Sequence, residues 1–125
     1  MLFTFDQSPF LSITSKVFEF FNERYEIASD VEIYHTDLSD ENAFGFTEEN
    51  GKEQFIQIHN DLNEDDYITT LLHELVHVVQ NESRITADNV REDQAYHMEK
   101  VLFKNYCASL QGVHYSPTDP RNRVL

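Results

Sequence analysis

His73-Glu74-Leu75-Val76-His77 is the stretch on which the reading of this chain turns. At 3.6 residues per turn, two residues four apart lie about 40° from each other around a helix and one turn along it, so both imidazoles can reach one point in space. The neighbouring residues support a helix. Ile68, Leu71, Leu72, Leu75, Val76, Val78 and Val79 fill one continuous arc, while Asp66, Thr70, His73, Glu74, His77 and Gln80 occupy the other. Acids at Glu64, Asp65 and Asp66 precede the run, where a helix dipole favours them, which predicts a helix from there to about Gln80. In this composition an H-E-x-x-H pattern arises by chance roughly 0.03 times, so the pattern carries information beyond its amphipathic setting.

Toward the C-terminus, a further helix is predicted from about Ala87-Asp88 to Leu110, ending before Gly112. On its wheel Glu92, Tyr96 and Glu99 fall within about 60° of one another, in the stripe that also holds Ala95, Leu102, Phe103, Tyr106 and Leu110. Carboxylates on an apolar stripe need a partner, because an unpaired buried charge is costly. A divalent cation is one such partner; an ion pair to Arg84, Arg91 or Lys100 is another. Two imidazoles and one carboxylate suit zinc and leave a fourth position to water, whereas calcium or magnesium would want more oxygen ligands. The expected ligands are His73, His77 and Glu92, with Glu99 as the reserve third ligand. Glu74 would accept a proton from the activated water as it attacks a carbonyl.

Toward the N-terminus, Ser8-Pro9 followed by Phe10, Ile13, Val17, Phe20, Phe21 and Tyr25 predicts a helix over 9–26. Period-two alternation in 31–36 suggests a strand. Two more strands, Ala43–Thr47 and Glu53–His59, flank Asn50-Gly51, a dipeptide suited to a hairpin turn. The expected fold is α+β: an N-terminal helix, a three-stranded antiparallel sheet, and two further helices. Residues 1–111 read as one domain and 112–125, with Pro117 and Pro120, as a tail.

The 125 residues carry a formal net charge of −14. Residues 1–66 hold 16 acids and 3 bases and residues 67–125 hold 7 and 6, so the excess lies in the first half. Such a surface repels phosphates, which argues against direct nucleic-acid binding. The lone Cys107 excludes an internal disulfide or a Cys-rich zinc module and reads as a small buried apolar residue. Neither a targeting segment nor a run of roughly 18 apolar residues is present, so the expectation is a cytoplasmic chain with no membrane partner.

His73–His77 followed by Glu92-Asp93-Gln94-Ala95 resembles the H-E-x-x-H plus E-x-x-A pattern of gluzincin-type zinc metallopeptidases, most similar to the compact SprT-like, ImmA-like and minigluzincin kinds. The order of helix, three strands, active-site helix and glutamate helix is also similar, and Asn42-Ala43-Phe44 resembles the start of the edge strand along which such enzymes align substrate. The resemblance implies a zincin-like fold over roughly residues 8–110, one Zn2+ per chain and a polypeptide substrate. Several gluzincins place an acid four residues after the glutamate ligand; here that residue is Tyr96. The group orienting a zinc histidine is therefore open among Glu99, Asp93 and a backbone carbonyl. Candidates to steady the oxyanion are Tyr96, Tyr106, His114 and Tyr115. His97 is expected on the solvated face of its helix, and His35 and His59 as packed or surface residues of strands. Two functions follow: a zinc endopeptidase taking peptides by strand addition at Asn42–Thr47, or a non-catalytic metal-binding or protein-binding assembly module on the same fold. The acids Asp40, Glu41, Glu48 and Glu49 near that strand suggest a preference for basic peptides.

Overall fold

In the computed structural model, residues 2–4 and 10–111 are described. Residues 112–125, expected as a tail and including His114 and Tyr115, and Ser8-Pro9, the expected helix start, lie outside the described residues. The elements run β1 (Leu2–Thr4), α1 (Leu11–Arg24), β2 (Asp30–Thr36), β3 (Gly45–Asn50), β4 (Glu53–His59), α2 (Glu64–Glu82) and α3 (Asp88–Leu110). The α+β class holds, and each predicted helix lies within about two residues of its place.

The sheet differs from the all-antiparallel, three-stranded expectation. Among the described residues it has four strands in the order β1-β2-β4-β3, with β3–β4 antiparallel and β1–β2 and β2–β4 parallel. Burial explains the order. Gln54, Ile56 and Ile58 of β4 are at most 1 % exposed, so β4 sits between two strands, whereas no residue of β3 is buried and that strand takes the edge. The hairpin at Asn50-Gly51 is as expected, with Gly51 at φ +64°, and it folds β4 back inside β3. β1, three residues long, is too short for periodicity to reveal.

One face of the sheet carries the core. Val31, Ile33, Ile56 and Ile58 meet Leu71, Leu72, Leu75 and Val78 of α2, and Val17, Phe20 and Phe21 of α1 close the cluster. Asn63 caps α2 by accepting the Asp66 N–H at 2.8 Å, a contact of about 1 kcal/mol. The far end of α2 is tied to the sheet by polar contacts: the Glu82 carboxylate accepts from the Ser29 N–H at 2.8 Å and the Ser29 hydroxyl at 2.6 Å. Buried Gln54 donates to the Val78 carbonyl at 3.1 Å and accepts from Asn81 at 2.9 Å. The helix bearing the two histidines is thus fixed in both position and rotation.

α3 turns Ala95, Met98, Leu102 and Tyr106, spaced by three, four and four, into the core. The stripe drawn from the sequence is therefore rotated: Tyr96 is 57 % and Leu110 63 % exposed, while Glu92 and Glu99 flank the buried row on the side toward α2. Tyr106 packs edge-on against Phe20 with ring centroids 5.3 Å apart, and burial pushes its phenol pKa up. Cys107 is half-buried rather than buried. Among the described residues, no helix is long and apolar enough to cross a membrane.

Candidate metal centre

The amphipathic rotation of α2 puts His73, Glu74 and His77 on the flank of the helix that faces away from the core and toward β3 and α3. Glu92, in the first turns of α3, completes a cluster with the two histidines. One ligand atom from each of the three lies within 4.8 Å of the others. The Nε2 atoms of His73 and His77 are 3.2 Å apart, and the Glu92 carboxylate stands 2.9 Å from His77 Nε2 and 3.5 Å from His73 Nε2.

The other nitrogen of each ring decides what those atoms can do. Gln80 is fully buried, and its amide nitrogen donates to the Arg91 carbonyl at 3.0 Å and to Gln94 Oε1 at 2.7 Å. Its amide oxygen therefore faces His77 Nδ1, at 2.7 Å, and can only accept. His77 must carry its proton on Nδ1 and present a lone pair at Nε2. The same holds for His73, whose Nδ1 lies 3.1 Å from the Glu99 carboxylate. Two imidazole lone pairs and a carboxylate then converge, an arrangement that fits a cation, and neither Arg84 nor Arg91 makes an ion pair to them. Arg84 instead pairs with Glu49 at 3.6 Å, and Arg91 donates to the Ile85 carbonyl at 2.7 Å.

The surrounding carboxylates draw positive charge to the cluster. Burial pulls the His73 pKa down, yet the hydrogen bond to Glu99 and the charges of Glu74, Glu99 and Glu92 outweigh it and leave the imidazole above its ordinary value. Positive charge is favoured here. Glu74 is 4 % exposed, and burial raises its carboxyl pKa against the opposing effect of the Thr47 hydroxyl and the two histidines. Thr47 Oγ1 donates to Glu74 Oε1 at 2.7 Å, holding the carboxylate at the cluster's edge.

The cluster opens into a cleft of about 490 Å³ between the segment 42–47 and the histidine side of α2, with Glu92, Tyr96 and Glu99 on its third wall. Asn42-Ala43-Phe44 is the bend leading into β3 rather than its first residues, and it lines the cleft. Gly45 follows, where an added Cβ would stand 3.0 Å from Thr70 Cγ2 and 3.1 Å from Glu74 Cγ; only glycine lets the edge strand lie this close to α2. Tyr96 meets His73 edge-on at 4.8 Å between centroids. Tyr106 is not in the cleft, so its expected role as an oxyanion donor is corrected to one in the core. His97 is exposed, His59 Nδ1 accepts the Leu38 N–H at 3.0 Å, and His35 Nε2 lies 2.7 Å from the Tyr67 hydroxyl, none of them in the cluster.

Thr47, Gln80 and Gly45 escaped the sequence reading. Gln80, three residues after His77 on the same polar arc, was within reach of it; Thr47, 27 residues before Glu74, was not.

Residues 27–109 match the family model of peptidase M78, the IrrE N-terminal-like domain, over well more than half of the chain. The chain belongs to the M78 family. The match spans β2 through nearly all of α3 and so contains every residue of the cluster and the cleft. M78 membership supports a small zinc-metallopeptidase-like domain and not the SprT-like kind. Comparison with curated proteins and with solved structures gives no match.

Proposed function

We propose that this M78 domain is a zinc-dependent metallopeptidase of gluzincin type that hydrolyses peptide bonds, with His73, His77 and Glu92 as the metal ligands. The observation that carries the reading is the convergence of two Nε2 lone pairs and a carboxylate beside a buried glutamate. When bound, zinc supplies the Lewis acidity that polarises a carbonyl and makes water nucleophilic near neutral pH. Gln80 and Glu99 hold the two rings in the ligating tautomer, which also makes the imidazoles more basic. Glu99 thereby takes the orienting role that Tyr96 cannot fill, and Glu92 is the third ligand.

Glu74 is the proton acceptor. Its burial disfavours the charged carboxylate, so it takes up a proton more readily than an exposed glutamate, and the Thr47 hydroxyl keeps one oxygen fixed. The polypeptide lies in the cleft along β3, whose free edge offers backbone hydrogen bonds. Tyr96 is assigned as the donor to the developing oxyanion, a role supported by its exposure and by its ring contact with His73.

The test compares wild type with Glu74→Gln on an unstructured polypeptide, with zinc content measured in parallel. The wild type should cleave, and the variant should keep its zinc and lose at least about 100-fold in rate. Equal cleavage by both would remove Glu74 from the role. Zinc in both with cleavage in neither would favour the binding-module reading.

A further inference from the structure

β3 has two faces and one free edge, and the catalytic reading uses only one face. Gly45, Thr47 and Glu49 look toward α2 and its C-terminal end, shown by the Gly45 contacts to Thr70 and Glu74, the Thr47 bond to Glu74 and the Glu49 pair with Arg84. Phe46 and Glu48 lie on the opposite face, Phe46 also reaching the lining of the cleft. The pairing with β4 also settles which backbone groups are free. The His59 N–H donates to the Phe44 carbonyl at 2.8 Å, so Phe44, Phe46 and Glu48 are the residues bonded to β4 in this antiparallel ladder. The N–H and C=O of Gly45, Thr47 and Glu49 therefore point to the open edge. A peptide strand bonded there places alternate side chains on the two faces: one set toward Glu74, the other beside Phe46 and Glu48.

That second face carries a separate cavity of about 260 Å³ lined by Leu38, Glu41, Phe46, Glu48, Phe55 and Gln57. Its floor is apolar and partly aromatic, with Phe46 39 % exposed although it is a large hydrophobic residue. Its rim is two carboxylates, neither of which is ion-paired among the described residues. A neutral apolar side chain would satisfy the floor and leave the acids unused; a carboxylate would be repelled. A long alkyl stem ending in a cation satisfies both, the stem lying on Phe46 and Phe55 and the head reaching Glu41 and Glu48.

We infer that the outer face of β3 is a specificity subsite for lysine or arginine, occupied by alternate residues of a polypeptide bound along the strand edge. The inference rests on the proposed peptide-binding role of the cleft but not on turnover. It turns the general acidity of the first half of the chain into one placed recognition element, with the substrate class an extended peptide that carries a basic residue at the position facing this cavity.

The test is binding of dye-labelled eight-residue peptides to the zinc-loaded full chain carrying Glu74→Gln, read by fluorescence anisotropy. The peptides differ only at alternate positions, which are lysine, norleucine or glutamate. Because each exposed ion pair contributes less than about 1 kcal/mol, two of them predict that the lysine peptide binds about fivefold tighter than the norleucine peptide. The glutamate peptide should bind weakest. In a chain that also carries Glu41→Gln and Glu48→Gln, both exposed-rim changes that leave the core untouched, the lysine advantage should fall below about twofold. Equal binding of lysine and norleucine peptides overturns the subsite, as does a lysine advantage that survives the double change. Lysine-dependent binding by a protein whose wild type cleaves nothing would keep the subsite and remove the peptidase reading.

Discussion

At the scale of single residues, the arrangement depends on which nitrogen of each imidazole carries the proton, and that is set by groups outside the cluster of His73, His77 and Glu92. Gln80 is the clearer case, since its amide orientation is dictated by the Arg91 carbonyl. Gln80→Met fills a similar volume but removes the acceptor for His77 Nδ1; zinc affinity, measured by competition with a chromophoric chelator, should fall between about 10-fold and 100-fold. Thr47→Val keeps shape and loses one hydrogen bond to a buried carboxylate. Peptide cleavage should drop between about 10-fold and 100-fold while zinc content stays unchanged, because a hydrogen bond to a charged group contributes roughly 1.5–3 kcal/mol. His73, Glu74, His77 and Glu92 were legible in the sequence because four of the relevant angles are fixed by helical geometry. Tyr106 misled for the same reason: a helical wheel gives angle and not height, and Tyr106 lies two turns beyond Glu99, about 10 Å further along the axis.

Among the elements, the site is a meeting of α2, α3 and the edge strand β3, and its width is set where β3 crosses α2 at Gly45. Gly45→Ala would push a methyl group against Thr70, Glu74 and the Gln57 carbonyl. The expected result is a loss of about 1–3 kcal/mol in stability, visible as a lowered melting temperature, with a larger proportional loss of cleavage because Glu74 is one of the residues displaced. The helices could be read from the sequence since each is long and strongly periodic. Strand order could not. Alternation assigns residues to faces but says nothing about which strand lies beside which, so the parallel β2–β4 centre emerged only from the fold. The run Thr47-Glu48-Glu49-Asn50 was a usable clue, because a strand half of which is polar on both faces belongs at an edge.

For the whole molecule, a 125-residue chain that places two imidazoles and three carboxylates in and around one cleft should be more stable with its ion than without it. Free zinc at 100 times its dissociation constant would add about 2.7 kcal/mol to the folded state, so a thermal melt should shift upward with zinc and back with chelator, and His77→Ala should abolish the shift. The net charge of −14 is concentrated in the first half of the chain, where Glu64, Asp65 and Asp66 open α2 and Glu41 and Glu48 would serve the proposed subsite at β3. The central claim, that His73, His77 and Glu92 hold zinc while Glu99 only orients a ring, is tested most directly by an equilibrium zinc titration of the wild type, Glu92→Ala and Glu99→Ala. The wild type should bind one ion per chain, Glu92→Ala should weaken binding by more than about 100-fold, and Glu99→Ala by about 10-fold. A wild type that takes up no zinc, or a Glu92→Ala chain that holds it as tightly as the wild type, would contradict the claim.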